Sequence, residues 1–231
     1  MLYRRITEYL YPPRCPVCDR ISGRGICESC KKRLVYISKD FCMKCGKPLD
    51  GDREEYCRDC GRRKHDFEQG RSLLSYQGQV RQSLYRLKYA NRRDYAAVYG
   101  REAALHLGRW IRRMRITRIV PIPLHPSRRR TRGYNQAALI AREIGWQLDL
   151  PVDEKLLRRI RKTAPQKMLS GQERQKNLAG AFQVLGGIGR GERILLVDDI
   201  YTTGHTADAA ARCLKQAADC RVYVLTVAIG G

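Results

Sequence analysis

Ten cysteines occur in the 231-residue chain, and eight of them form four Cys-x-x-Cys pairs: Cys15 and Cys18, Cys27 and Cys30, Cys42 and Cys45, Cys57 and Cys60. Thiols this close in sequence fit a metal ion better than a disulfide framework. Four thiolates close a tetrahedral Zn2+ site and leave no open position for chemistry, so eight predict two structural zinc ions. Pro16 and Gly46 sit in or beside the knuckles, where tight turns aim backbone amides at sulfur. An iron–sulfur cluster or redox dithiols are the competing uses of the same residues. The spacing fits sequential pairing of neighbours, and it also fits interleaved pairing, first with third and second with fourth. Reduced thiolates imply a cytoplasmic setting.

A second chemical signal lies in residues 194–206, ILLVDDIYTTGHT. Four apolar residues predict a buried strand, Asp198 and Asp199 stand at its carboxyl end, and a hydroxyl-rich turn leads into a helix. Backbone N–H groups and the hydroxyls of Thr202, Thr203 and Thr206 then gather at a helix N-terminus, where the macrodipole favours a phosphate. Gly204 permits close backbone approach, and His205 is expected to serve through its backbone amide. Two adjacent carboxylates suit the cis-diol of a ribose, directly or through Mg2+ and water. Acids at a strand's end in an open cleft are expected to be dispensable for the fold.

These residues need elements to hold them. Cysteine use stops near residues 61–70, so the expected division is a zinc-binding module over 1–66 and a second domain over 67–231. Some fifty residues with few large aliphatics cannot fold unaided, and metal binding offsets the deficit; the second domain is expected to have its own core. The N-terminus reads as a short amphipathic helix with Leu2, Ile6, Tyr9 and Leu10 on one side. Beyond the module come a strand near 71–76, a helix on the spacing of Val80, Leu84 and Leu87, and a helix over 95–114. A strand through 116–124, a helix over 134–148, a short strand near 156–160 and a basic polar stretch to about 176 follow. A strand over 193–200, a helix over 205–217 and a strand over 221–228 close the series, with Cys213 and Cys220 as ordinary helix or strand-end residues. Apolar strands alternating with helices predict an α/β fold, a parallel twisted Rossmann-like sheet covered on both faces. Apolar runs fall short of the roughly 18 residues of a membrane span, so no membrane insertion is expected.

The formal charge of +23 is regional. Residues 81–132 carry fifteen Lys or Arg against two acids, and residues 155–176 carry eight against one, whereas from 177 onward five and five cancel. A localised basic surface fits a polyanion; a generally Arg-rich composition is the blander source. Tyr76, Tyr85 and Tyr89 interleave with Arg81, Arg86, Lys88, Arg92 and Arg93. That pattern stacks and neutralises a single nucleic-acid strand, and core tyrosines under a solvated charged face produce it equally.

Residues 194–206 resemble the phosphoribosyl-pyrophosphate motif of the type I phosphoribosyltransferases, which is four hydrophobics, two acids and a small-residue phosphate loop. The resemblance implies that Asp198 and Asp199 serve the ribose hydroxyls and any catalysis. It also implies that Thr202, Thr203, Gly204, His205 and Thr206 hold the 5-phosphate, and that Mg2+ accompanies the pyrophosphate. Residues 121–137 (PIPLHPSRRRTRGYNQA), 162–166 (KTAPQ), Arg174 with Asn177, and 179–182 (AGAF), together with the cysteine-rich front, are similar to the ComF competence-protein family over nearly the full length. This implies a zinc-finger module joined to a phosphoribosyltransferase-type domain. It further implies a role with single-stranded DNA in natural transformation, beside a helicase-like ATPase. Arg128, Arg129, Arg130 and Arg132 are then expected in a loop facing the pyrophosphate, since the guanidinium fork suits phosphate. Gly133 would make the turn, with Asn135 and Gln136 as neutral donors.

Two functions follow. One is a ComF-like DNA-uptake protein that binds phosphoribosyl pyrophosphate or a related ribose 5-phosphate and handles single-stranded DNA. The other is an active phosphoribosyltransferase acting on an unidentified acceptor, for which the sequence displays no recognisable pocket.

Overall fold

The computed structural model describes residues 12–23, 25–49, 51, 54–161 and 180–230. The expected N-terminal helix, residues 162–166, Arg174 and Asn177 lie outside the described residues. Each half of the cysteine-rich front is a knuckle followed by one helical turn, α1 (Glu28–Lys31) and α2 (Arg58–Arg62). The chain continues as β1 (Gln69–Ser75), α3 (Gly78–Tyr89), α4 (Asp94–Arg113), β2 (Arg118–Pro121), α5 (Pro126–Arg132) and α6 (Gln136–Leu148). It closes with β3 (Leu157–Arg159), β4 (Phe182–Val184), β5 (Glu192–Tyr201), α7 (His205–Ala217) and β6 (Cys220–Ile229).

Four of the strands form a parallel sheet in the order β1-β6-β5-β2. β5 explains why that sheet is covered on both faces. Leu195 and Val197 join Leu84, Tyr99 and Ile140 from α3, α4 and α6 in one core. Ile194 and Leu196 join Ala210, Ala211 and Leu214 from α7 in another. Side chains alternate across a strand, so one apolar run feeds both cores. β3 and β4 add a separate antiparallel ribbon. The sequence reading did not separate it from the sheet, because three-residue strands are too short to display a period.

The cysteine-rich front is built into this frame. The outer edge of β1 is paired by Gly70 N–H to the Lys44 carbonyl at 2.7 Å, Ile37 N–H to Leu73 at 3.1 Å and Ser75 N–H to Val35 at 3.0 Å. Gly46 lies at φ +78°, and a Cβ there would meet the Gly70 carbonyl oxygen at 2.8 Å, so the second knuckle sits directly on β1. Cys42, Cys45 and Cys57 belong to the same apolar cluster as Leu196, Tyr201 and Ala211. The expectation that the later residues own a separate core is thereby corrected, since one of their two cores is shared with the second cysteine cluster. The first knuckle packs Val17 and Ile26 on Val98 of α4. No helix among the described residues is long and apolar enough to cross a membrane.

Candidate functional site

The ligand atoms of Cys15, Cys18, Cys27 and Cys30 all lie within 4.8 Å of one another, as do those of Cys42, Cys45, Cys57 and Cys60. Pairing is therefore sequential. Sulfur separations of 3.7 Å, Cys18 to Cys27 and Cys45 to Cys57, match the ~3.8 Å edge of a tetrahedron with Zn–S bonds of ~2.3 Å. Cys27 and Cys57 directly precede α1 and α2. Cys30 and Cys60 then return to the same side about one turn later. Both centres are structural zinc sites.

Asp198 and Asp199 occupy the carboxyl end of β5, and alternation turns them to opposite faces of the sheet. Asp199 is buried and pairs with Lys88 Nζ of α3 at 2.8 Å. Asp198 Oδ1 accepts the Asp199 N–H at 2.8 Å. Burial, then the neighbouring Asp199 charge, push the Asp198 carboxyl up to about 7. Burial works to lower the Lys88 ammonium, but the two aspartates outweigh it and hold the group above its ordinary value. Sequence reasoning assigned Lys88 to the basic strand-binding face. The missed signal was its place beside buried Leu84 and Leu87, at the rim of the helix's apolar stripe. Asp199 is also not dispensable to the fold, because it is half of a buried ion pair.

The turn after β5 is shaped by Gly204, at φ +76° and directly before α7. A Cβ there would lie 2.3 Å from Tyr201 Oη and 3.1 Å from His65 Cε1. Gly204→Ala combines left-handed strain of about 1–2 kcal/mol with displacement of Tyr201. Its melting temperature should fall by several degrees; an unchanged thermal melt would contradict the packing of this turn. His205, expected to act through its amide, also engages both ring nitrogens. Nε2 lies 2.9 Å from Arg63 Nη1 and Nδ1 lies 2.5 Å from Thr203 Oγ1. Thr202 is exposed, and Thr203 and Thr206 are partly exposed.

β2 runs parallel beside β5, so residues 122–135 emerge next to this turn. They form a helix where a loop was expected. Pro126 starts α5, His125 caps it by accepting from Ser127 N–H at 3.3 Å, and Gly133 at φ +78° ends it. Arg128, Arg129 and Arg130 are exposed. Arg132 donates to Gln136 and lies over the Tyr89 ring at 5.2 Å. Asn135 donates to the Ile122 carbonyl at 3.1 Å and accepts from Ala137 N–H at 3.2 Å, so its amide joins β2 to α6.

Arg159 of β3 was not anticipated; it is buried, with its guanidinium 5.5 Å from the Phe182 ring. Burial and Arg128 lower its pKa while Asp198 opposes them, which puts the three groups in one neighbourhood. A groove of about 1020 Å³ beside them is lined by Arg129, Arg130, Arg158, Arg159, Pro123 and Leu157 among others.

On α3, Tyr85 and Tyr89 are 63% and 66% exposed, with ring centroids 4.8 Å apart. Tyr76 is partly buried. Two expected strand-facing arginines turn elsewhere: Arg86 donates to the Val17 carbonyl at 2.7 Å, and Arg92 pairs with Asp19 at 2.6 Å, tying the first knuckle to α3 and α4.

Fold and centres define a double zinc ribbon joined to a parallel α/β unit with an acid pair at a strand end. The family model for the double zinc ribbon domain matches residues 6–61. Competence protein F of Haemophilus influenzae is 35% identical over 102 residues, 42% of this chain and 44% of that protein. The DNA utilization protein YhgH of Escherichia coli K12 is 32% identical over 134 residues, 57% of this chain and 59% of that protein. Competence protein ComFC of Bacillus subtilis is 29% identical over 196 residues, 83% of this chain and 78% of that protein. The chain is similar to competence proteins of the ComF family. It spans less than two thirds of the length of the first two relatives. A Saccharomyces cerevisiae adenine phosphoribosyltransferase structure aligns over 60% of this chain and 72% of its own at 17% identity, with a TM-score of 0.38.

Proposed function

We propose that this chain acts in DNA uptake, binding a 5-phosphorylated ribose such as phosphoribosyl pyrophosphate at residues 198–206 and single-stranded DNA on the adjoining face of α3. The observation that carries the reading is the acid pair at the end of β5, leading through Thr202, Thr203 and Gly204 into the N-terminus of α7. The loop amides and Thr hydroxyls, Thr206 included, suit the 5-phosphate. Asp198 and Asp199 suit the ribose diol, and their hard oxygens suit Mg2+, which would neutralise a pyrophosphate. Arg128 and Arg132, on the helix that follows β2 beside β5, are the cations suited to meet that group; Asn135 contributes by holding the turn. Residues 1–66 serve as the zinc module and 67–231 as the ligand-binding part, in a reducing, cytoplasmic setting that keeps the thiolates.

The relatives' names as competence and DNA utilization proteins support the DNA role. So do Tyr85 and Tyr89, two exposed rings beside Arg132. Isothermal calorimetry with ribose 5-phosphate tests the first half of the proposal, and absence of binding with and without Mg2+ would remove it. For the second half, Tyr85→Ala with Tyr89→Ala should weaken binding of a single-stranded oligonucleotide at least tenfold, because stacking contributes about 1–3 kcal/mol per base. The native affinity should fall steeply with salt as phosphate contacts release counterions. Equal affinity of the double variant would move the strand to another surface.

The groove lined by Arg158 and Arg159 favours a second reading, transfer of the phosphoribosyl group to an acceptor. The bond between the ribose C1 and pyrophosphate breaks, an acceptor nucleophile bonds to C1, and cations meet the departing pyrophosphate. Pyrophosphate release on adding an acceptor distinguishes it from binding alone.

A further inference from the structure

The segment leaving the second zinc centre runs under the loop 202–206. Arg63 is three residues beyond Cys60, a ligand of that centre. Its Nη2 pairs with Asp208 Oδ2 at 2.6 Å, while Nη1 lies 2.9 Å from His205 Nε2 and 3.4 Å from the Thr203 carbonyl oxygen. Asp208, on the first turn of α7, is also met by His65 Nδ1 at 3.0 Å and the Asp66 N–H at 3.0 Å. Phe67 continues the contact, with its ring edge-on to Tyr201 at 6.2 Å.

Donor and acceptor roles follow from chemistry. A guanidinium has only N–H donors, so His205 Nε2 must accept from Arg63. In the neutral ring the proton is then on Nδ1, which donates to Thr203 Oγ1 at 2.5 Å. Thr203 Oγ1 already accepts, so its own O–H is left to donate outward.

We infer that Arg63 is a positioning residue for the phosphate loop. It fixes the His205 tautomer, His205 fixes the Thr203 hydroxyl as a donor, and Asp208 holds Arg63 in place. The zinc module thereby sets the hydrogen-bonding polarity of the site. The inference deepens the ribose-phosphate reading and rests on it for the ligand, but the order of the loop is measured without any ligand.

The test uses the full zinc-loaded chain and the variants Arg63→Met, Arg63→Lys, Thr203→Val and the Met/Val double. Hydrogen exchange of residues 202–206 should quicken at least tenfold in Arg63→Met, with zinc content and β6 exchange unchanged. Arg63→Lys should fall between, since a lysine retains the charge toward Asp208 without the fork that reaches His205 and Thr203. Ribose 5-phosphate affinity should drop about fivefold in Arg63→Met and in Thr203→Val. The double variant should be no weaker than the worse single, because both remove one hydrogen bond. Oligonucleotide affinity should not move. Unchanged exchange at 202–206 in Arg63→Met, or additive losses in the double variant, would overturn the relay. If the native chain binds no ribose 5-phosphate, the ligand reading fails and exchange alone decides the inference. If Arg63→Met loses zinc or folded structure, Arg63→Lys decides it by the same exchange and affinity readings.

Discussion

Asp198→Asn is expected to keep the native melting temperature at pH 5 and, at pH 8, to bind ribose 5-phosphate ten- to a hundredfold more weakly, whereas Asp199→Asn is expected to lose both affinity and stability. The affinity term follows from removing a charge-assisted hydrogen bond, about 1.5–3 kcal/mol. The stability difference follows from partners. Asp199 neutralises Lys88 at 2.8 Å inside the fold, and breaking a buried pair costs about 3–5 kcal/mol. Asp198 is already pushed up to about 7 by burial and by Asp199, so a neutral amide resembles its protonated form. Sign also matters. The folded chain holds this proton between the ordinary carboxylate range and pH 7 while the unfolded chain releases it. Acidification through that window therefore stabilises the native protein and not Asp198→Asn. Calorimetry with thermal melts at pH 5 and 8 checks both variants, and native-like ligand affinity in both would show that the acids do not serve the ligand.

Zinc removal should have the largest effect on stability. Elemental analysis is expected to give two zinc ions per chain, in line with the two sulfur clusters. Cys57→Ser should lower the melting temperature by more than ten degrees and speed exchange along β1 and β5, since Cys57 shares a cluster with Leu196 and Ala211. Cys15→Ser should cost less, because the first centre packs in a small satellite with Val98. One metal per chain, or a sheet whose exchange ignores Cys57→Ser, would contradict the shared core. Structural zinc contributes folding free energy directly, which is why the effect is large.

Much of this was legible in the sequence because the signals were local. Four Cys-x-x-Cys pairs define knuckles wherever the rest of the chain goes, and residues 194–206 carry a strand, a turn and a helix start in one run. The apolar spacing of α3, α4 and α6 placed those helices to within a few residues. What escaped depended on contacts between distant segments. Lys88 meets Asp199 across more than a hundred positions, and Arg63 meets Asp208 across a similar gap. Neither pairing has a local signature. α5 reads as a loop in the sequence because Ser-Arg-Arg-Arg-Thr-Arg has no apolar period; the His125 and Gly133 caps are its sequence signal.

The position of β6 between β1 and β5 constrains how the sheet can be assembled. β1 and β6 pair over a separation of roughly 150 residues, and such non-local contacts form slowly. The outer rim of β1, by contrast, is covered by residues 35–44, which are synthesised just before it. A nascent chain can therefore close one side of β1 early while the other stays open until β6 inserts. Until β5 and β6 emerge late in translation, β1 and β2 have no partner in the sheet, and each leaves a strand edge available to the wrong one. Prompt zinc loading then protects the emerging chain as well as the finished one, and zinc starvation during synthesis should be more damaging than chelation afterwards.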